Sequence, residues 1–194
     1  MTKRIVIDNA LDAKTFMQVQ RHMMSNQYAW NFGEGVSHTT STGDFQFFHT
    51  IHEGPYVDSP NDYQLVYPLM EVLQPQSIVR IKANLLTRTT EHIVHGMHND
   101  VFMPFALTAI YYVNTNNGYT IFEDGDQVES VANRMVIFPA NIKHSGATCT
   151  DELRRVVINL NYIPNKEDER FQSLIDDKGK EYWNYWEKDM EEYK

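Results

Sequence analysis

The clearest chemistry in this chain is the run His98-Asn99-Asp100. Residues two apart on an extended strand point to the same side, so an imidazole and a carboxylate would stand together there and could hold one divalent metal. A third ligand must come from elsewhere. His144 is placed for it, in the loop that follows Met135-Val136-Ile137-Phe138-Pro139. In an antiparallel barrel a loop this far along the chain can return beside His98. Two histidines and one carboxylate on one side of an ion make a facial triad, which suits Fe(II) and leaves coordination positions open. Alone, His-x-Asp is a weak pattern whose commoner role is structural.

Arg155 strengthens the pattern. It opens the alternating segment Val156-Val157-Ile158-Asn159-Leu160-Asn161-Tyr162. Strand parity puts Arg155, Val157, Asn159 and Asn161 on one face and Arg154, Val156, Ile158 and Leu160 on the other. Arg154 competes for the same role, but it shares its face with the apolar row. A guanidinium facing a cavity beside a metal is costly unless an anion meets it. A dicarboxylate that chelates the metal and pairs with Arg155 would satisfy both, and 2-oxoglutarate is such an anion.

These residues need a β scaffold to meet. Arg4 to Asp8 reads as a short first strand, and a helix is predicted from Asp12, whose carboxylate can cap it. From Asn26 to Pro60 the signals are irregular, with at least one strand around Phe45-Gln46-Phe47-Phe48-His49. The stretch from Tyr28 to Gly54 is a candidate lid over a substrate. A second helix is predicted over Asn61–Leu73, with Pro60 in its first turn and Pro68 kinking it or delaying its start. Beyond Pro75 strands dominate: Val79–Thr87, Glu91–Asp100, Ala106–Asn114, Tyr119–Phe122, Gln127–Val131, Met135–Phe138 and Arg155–Tyr162. Asn116-Asn117-Gly118 and Asp124-Gly125 carry hairpin signals between them. Short strands with close turns and no intervening helices argue for an antiparallel sandwich or barrel, not a parallel sheet.

The composition sets bounds. The chain has 194 residues, 42% of them hydrophobic, which suits one globular domain spanning 1–194 with a catalytic core at about 79–163. A net charge of −9 disfavours a general nucleic-acid surface. There is no run long enough to span a membrane and no secretory signal pattern, and the lone Cys149 cannot form an internal disulfide. A cytoplasmic protein is expected. The acidic segment 164–194 predicts a C-terminal helix with an aromatic stripe of Tyr182, Tyr185, Trp186, Met190 and Tyr193. Docking on the core is its plainer role, and a homo-oligomer through that helix is the alternative.

From Arg80 to Tyr162 the chain resembles the Fe(II)/2-oxoglutarate-dependent oxygenases, in their prolyl-hydroxylase-like branch of small single-domain members from bacteriophages and marine bacteria. The likeness rests on Arg80–Leu86, His98-Asn99-Asp100, Thr108–Asn114, Asn117–Gly125, Asn133–Pro139, Lys143–Gly146 and Arg155–Asn159, in matching order and spacing. It implies a double-stranded β-helix, a jelly roll, buttressed by the N-terminal helices. It implies His98, Asp100 and His144 as the Fe(II) ligands, and Arg155 as the partner of the distal carboxylate of 2-oxoglutarate. Tyr112 would reach the same carboxylate, and Asn84 matches a cosubstrate-contacting position. Leu86 stands where many relatives carry Tyr, so one cosubstrate hydrogen bond would be missing. The implied reaction uses O2 to oxidise a small-molecule or peptidyl substrate, peptidyl proline first, while 2-oxoglutarate becomes succinate and CO2.

Other residues read more plainly. His92 and His95 are expected on the surface or in loops, and His49 and His52 show no partner pattern. Glu123-Asp124-Gly125-Asp126 lacks calcium-loop spacing and reads as a turn. Cys149 reads as a small buried filler, while Thr120 could equally face a cosubstrate or pack. Two other functional classes compete with the oxygenase. A cupin-like metal-binding jelly roll without 2-oxoglutarate chemistry is one, although cupins favour His-x-His with a nearby Glu. An inactive scaffold assembling through its tail is the other.

Overall fold

The computed structural model describes residues 4–36 and 44–192. The strands are β1 (Ile5–Ile7), β2 (Asn31–Glu34), β3 (Phe45–Glu53), β4 (Tyr56–Val57), β5 (Pro75–Thr87), β6 (Leu107–Tyr112), β7 (Tyr119–Phe122), β8 (Gln127–Glu129), β9 (Met135–Pro139), β10 (His144–Gly146) and β11 (Arg154–Pro164). The helices are α1 (Ala13–Met23), α2 (Pro60–Leu73), α3 (Glu169–Leu174) and α4 (Asp177–Glu192). A large antiparallel sheet runs β1-β9-β6-β11-β5-β3-β2, with β4 beside β3, and a small sheet runs β10-β7-β8. This is the jelly roll that the resemblance implies, within the antiparallel sandwich or barrel expected from the strand pattern.

Alternation on three central strands builds both of its faces. Ile81, Ala83 and Leu85 of β5, Val156, Ile158 and Leu160 of β11, and Ala109 and Tyr111 of β6 form one buried cluster. Val19 and Met23 of α1 and Val66, Leu69, Met70 and Leu73 of α2 cover it. The opposite parity faces the small sheet. There Ile110, Tyr112 and Val157 pack with Phe122, Val128 and Phe138, and Arg80, Lys82, Asn84, Asn159 and Arg155 line a cavity. One strand thus contributes to an apolar core and to a polar interior at once.

The helices begin where their caps allow. The Asp12 carboxylate accepts from the amides of Lys14 and Thr15. Pro60 occupies the first turn of α2, where its missing N–H costs nothing, and the helix continues through Pro68 without a delayed start. Phe171 and Leu174 of α3 join the main core.

Three expectations change. Glu91–Asp100 is not a strand; only the isolated bridges Val94↔Ala147 and His98↔His144 tie it down. Its apolar residues Ile93, Val94 and Met97 do not alternate and are exposed, so nothing drives a ladder. Asn116-Asn117-Gly118 is not a hairpin, because β6 and β7 belong to different sheets. Its amides bind neighbouring chain instead: Asn116 Oδ1 accepts from Gly118 N, and Asn117 Nδ2 donates to Thr150. Asp124-Gly125 does turn the β7–β8 hairpin, with Gly125 at φ +86°. The third change is in the aromatic stripe of α4. Trp183, fully buried, and Trp186 dock against Phe105, while Tyr182 and Tyr185 are exposed. Tyr193 and the side chain of Met190 lie outside what is described. His95 lies in the loop between the two bridges, within the expectation for it, and is buried there. No helix among the described residues is long and apolar enough to cross a membrane.

Candidate functional site

The two bridges that replace a strand before Asp100 are what bring the triad together. His98 and His144 exchange both backbone hydrogen bonds, each 3.0 Å, which sets their imidazoles side by side with centroids 4.9 Å apart. His98 Nε2 is 3.7 Å from Asp100 Oδ1, and His144 Nε2 is 3.6 Å from Asp100 Oδ2. One donor atom from each of the three lies within 4.8 Å of the others.

Second contacts orient these groups. His98 Nδ1 donates to Gly96 O at 3.1 Å and His144 Nδ1 to Ile142 O at 3.2 Å. With the ring proton on Nδ1, each Nε2 presents a lone pair toward the Asp100 carboxylate. Three electron-rich atoms facing one another are stable only around a cation. Their separations are close to the roughly 3–3.5 Å kept by ligands about 2.1 Å from a shared ion. The donor set fits a divalent metal.

Asp100 is itself held from three sides. Asn161 Nδ2 donates to Oδ2 at 3.1 Å, Thr108 Oγ1 donates to the same oxygen at 3.4 Å, and Arg80 Nη2 reaches Oδ1 at 3.4 Å. Burial alone would raise its pKa. The positive charges of His144 and His98 when protonated, that of Arg80, and the Asn161 bond outweigh that and hold it below the ordinary carboxylate value. Burial also pulls His144 below the usual imidazole value, which favours the neutral, metal-binding form.

Arg155 marks the other end. Only 3% of it is exposed, yet its Nε donates to Ser130 Oγ at 2.8 Å and its Nη2 to Thr120 Oγ1 at 3.0 Å. Both acceptors are neutral, and among the described residues no carboxylate pairs with it. Gly118 and Gly146 make room: a Cβ at Gly118 would lie 2.8 Å from Arg155 Cδ, and one at Gly146 3.2 Å from Nη1. Tyr112 stands beside Arg155, but its hydroxyl donates to Thr120 Oγ1 at 2.8 Å, and Thr120 is the residue that lines the cavity. With two bonds arriving at its oxygen, the Thr120 hydroxyl proton is free to turn toward a ligand. Asn84 and Leu86 also line the cavity, which has a volume of about 230 Å³. Arg154 points away and donates to Met24 O.

The remaining sequence candidates lie apart or serve the frame. His92 binds Thr148 O, and Cys149 is buried with Sγ on Glu152 O. Asp124 and Asp126 pair with Arg4 at 2.6 and 2.7 Å. From the expected lid, Gly35, Val36 and Gln46 line the cavity, while residues 37–43 lie outside what is described. His49 does have a partner: it and His22 flank Asp62 on the helical side. Sequence reasoning missed roles for Arg80, Thr108, Ser130 and Asn161. Asn161 alone left a trace, through its shared strand face with Arg155.

No protein-family model and no curated protein sequence matches the chain. Solved structures do. An oxidoreductase of the 2OG-Fe(II) oxygenase family from Burkholderia pseudomallei superimposes with a TM-score of 0.61 at 12% identity, over 84% of this chain and 86% of that one. The non-heme alpha-ketoglutarate-dependent epimerase SnoN of nogalamycin biosynthesis gives 0.60 at 12%, over 83% and 78%. A Pseudomonas putida prolyl-4-hydroxylase gives 0.53 at 14%, over 85% and 94%. With the strand topology above, these likenesses establish that the chain has the fold of the 2-oxoglutarate–Fe(II) oxygenases.

Proposed function

We propose that the protein is an Fe(II)- and 2-oxoglutarate-dependent dioxygenase, a hydroxylase acting on a small molecule or a peptide. The observation that carries this reading is Arg155: a guanidinium buried among neutral hydroxyls, across a cavity from three converging metal donors. A buried cation without a counter-charge is costly, and a dicarboxylate is the ligand that answers it while reaching a metal.

His98, Asp100 and His144 would hold the iron from one side. Arg155 would take the distal carboxylate of 2-oxoglutarate in a charge-assisted contact, with the Thr120 hydroxyl beside it and Tyr112 steadying Thr120. Asn84 would border the cosubstrate. Leu86, Ile110 and Val157 line the same cavity and would keep water from it. When bound, iron and 2-oxoglutarate would supply oxidation of the substrate by O2, coupled to decarboxylation of 2-oxoglutarate to succinate and CO2. Peptidyl proline remains the first substrate expectation, supported by the motif likeness to the prolyl-hydroxylase-like branch. A cytoplasmic setting belongs to the same proposal. So does a homo-oligomer through the exposed Tyr182 and Tyr185 of α4, which Tyr182→Ser with Tyr185→Ser would dissociate in sedimentation.

Anaerobic titration of the apoprotein with Fe(II) and then 2-oxoglutarate is the test. A visible metal-to-ligand charge-transfer band that is lost in Asp100→Ala supports the reading. Folded, iron-loaded protein without the band overturns it and favours a cupin-like metal site.

A further inference from the structure

Lys82 is the cavity cation for which this reading has no use. It lies midway along β5, in register with Thr50 of β3 and Asn159 of β11, and its side chain faces the cavity. Its ammonium rests over the Phe48 ring, 4.5 Å from the centroid. Among the described residues no carboxylate is within ion-pair distance of it. Glu53, in register with Arg80 on β3, is exposed, and Asp100 is committed to the triad. The buried Oδ1 of Asn159, across the ladder, also lacks a hydrogen-bond partner.

The charges then fail to balance. Among the described residues Arg80, Lys82 and Arg155 line the cavity with one carboxylate, Asp100, in a chain whose net charge is −9. A divalent metal and a dianionic cosubstrate cancel each other in net charge, and Asp100 is already paired with Arg80 at 3.4 Å. The wall keeps a net positive charge, and with Arg155 meeting the cosubstrate, Lys82 is the partly desolvated cation left without a carboxylate among the described residues. Such a group is stabilised by an incoming anion and repels an incoming cation.

We propose that the primary substrate presents an anionic group, carboxylate or phosphate, to Lys82, with Arg80 at its flank. The inference rests on the oxygenase reading and narrows its substrate class to acids: a small organic acid or phosphate ester, or a peptide acidic beside the oxidised position. Lys82 is thus a specificity residue, and its ring contact with Phe48 holds the ammonium in place until the anion arrives.

The test uses protein loaded with Zn(II), a diamagnetic and redox-inert ion, and saturated with 2-oxoglutarate so that the Arg155 seat is filled. Acetate and inorganic phosphate are the probes, followed in the protein and its variants through the backbone amide NMR resonances of the cavity strands, with acetamide as the neutral control. Saturable shifts with the anions and none with acetamide are expected. Affinity should fall about tenfold in Lys82→Met and be retained in Lys82→Arg. Tighter acetate marks a carboxylate substrate and tighter phosphate a phosphorylated one. No saturable shift, or equal binding by Lys82→Met, overturns the proposal. If Lys82→Met instead weakens 2-oxoglutarate, Lys82 belongs to the cosubstrate seat and the proposal falls. Failure here with the Fe(II) charge-transfer band intact leaves the oxygenase reading standing, whereas loss of the band removes both.

Discussion

Two groups of two histidines and one aspartate lie on opposite sides of the same sheet. In His98–Asp100–His144 the ring nitrogens and the carboxylate converge on one point, at 3.6 and 3.7 Å. In His22–Asp62–His49 the carboxylate sits between the rings, with His22 Nε2 2.7 Å from Oδ1 and His49 Nε2 3.0 Å from Oδ2. Ser59 also donates to Asp62. The first set leaves lone pairs facing each other and calls for a cation. The second ties α1 to α2 by the His22–Asp62 hydrogen bond, with His49 of β3 close to the other carboxylate oxygen but not hydrogen-bonded to it. Identical residue types thus differ in function because of what each nitrogen faces.

The comparison can be broken in several ways. Asp100→Ala should abolish high-affinity divalent metal binding while the melting temperature of the apoprotein holds; calorimetric titration with Fe(II) or Zn(II) decides it. Arg155→Met should leave metal binding intact and raise the 2-oxoglutarate requirement about 100-fold. Arg155→Lys should restore only part, since it lacks the planar fork. Asp62→Ala should do the reverse of Asp100→Ala. Metal titration stays unchanged, but stability falls by about 2 kcal/mol, read as a loss of roughly 4–8 °C in melting temperature. A metal effect from Asp62→Ala would show that the helical cluster is no mere tie. Asn161→Ala, which frees one oxygen of Asp100, should weaken metal binding by about tenfold and shift stability little.

Parity explains what could be read in advance. Arg155 was separable from Arg154 because β11 alternates over its whole length, and the structure places Arg155 in the cavity and Arg154 against Met24 O. The segment before Asp100 was misread because a strand was assumed where two bridges suffice. His98 and Asp100 still meet, since the pairing with His144 aligns them. Trp183 was missed because α4 docks through a neighbouring stripe, and only the position of Phe105 selects which one. The Asp62 cluster joins residues 40 and 13 positions away with no local spacing to announce it.

Residue order by itself determined the strand alternation, the helix caps, the candidate ligand types and the choice of Arg155, because each depends on neighbours within a few residues. Tertiary structure decided which polar groups found partners. Among the described residues Lys82 and Arg155 lack carboxylates, and Asp62 has two imidazoles beside it, through contacts between strands and helices far apart in the chain. Burial makes those differences matter, since an unpaired charge is costly only where water cannot reach it.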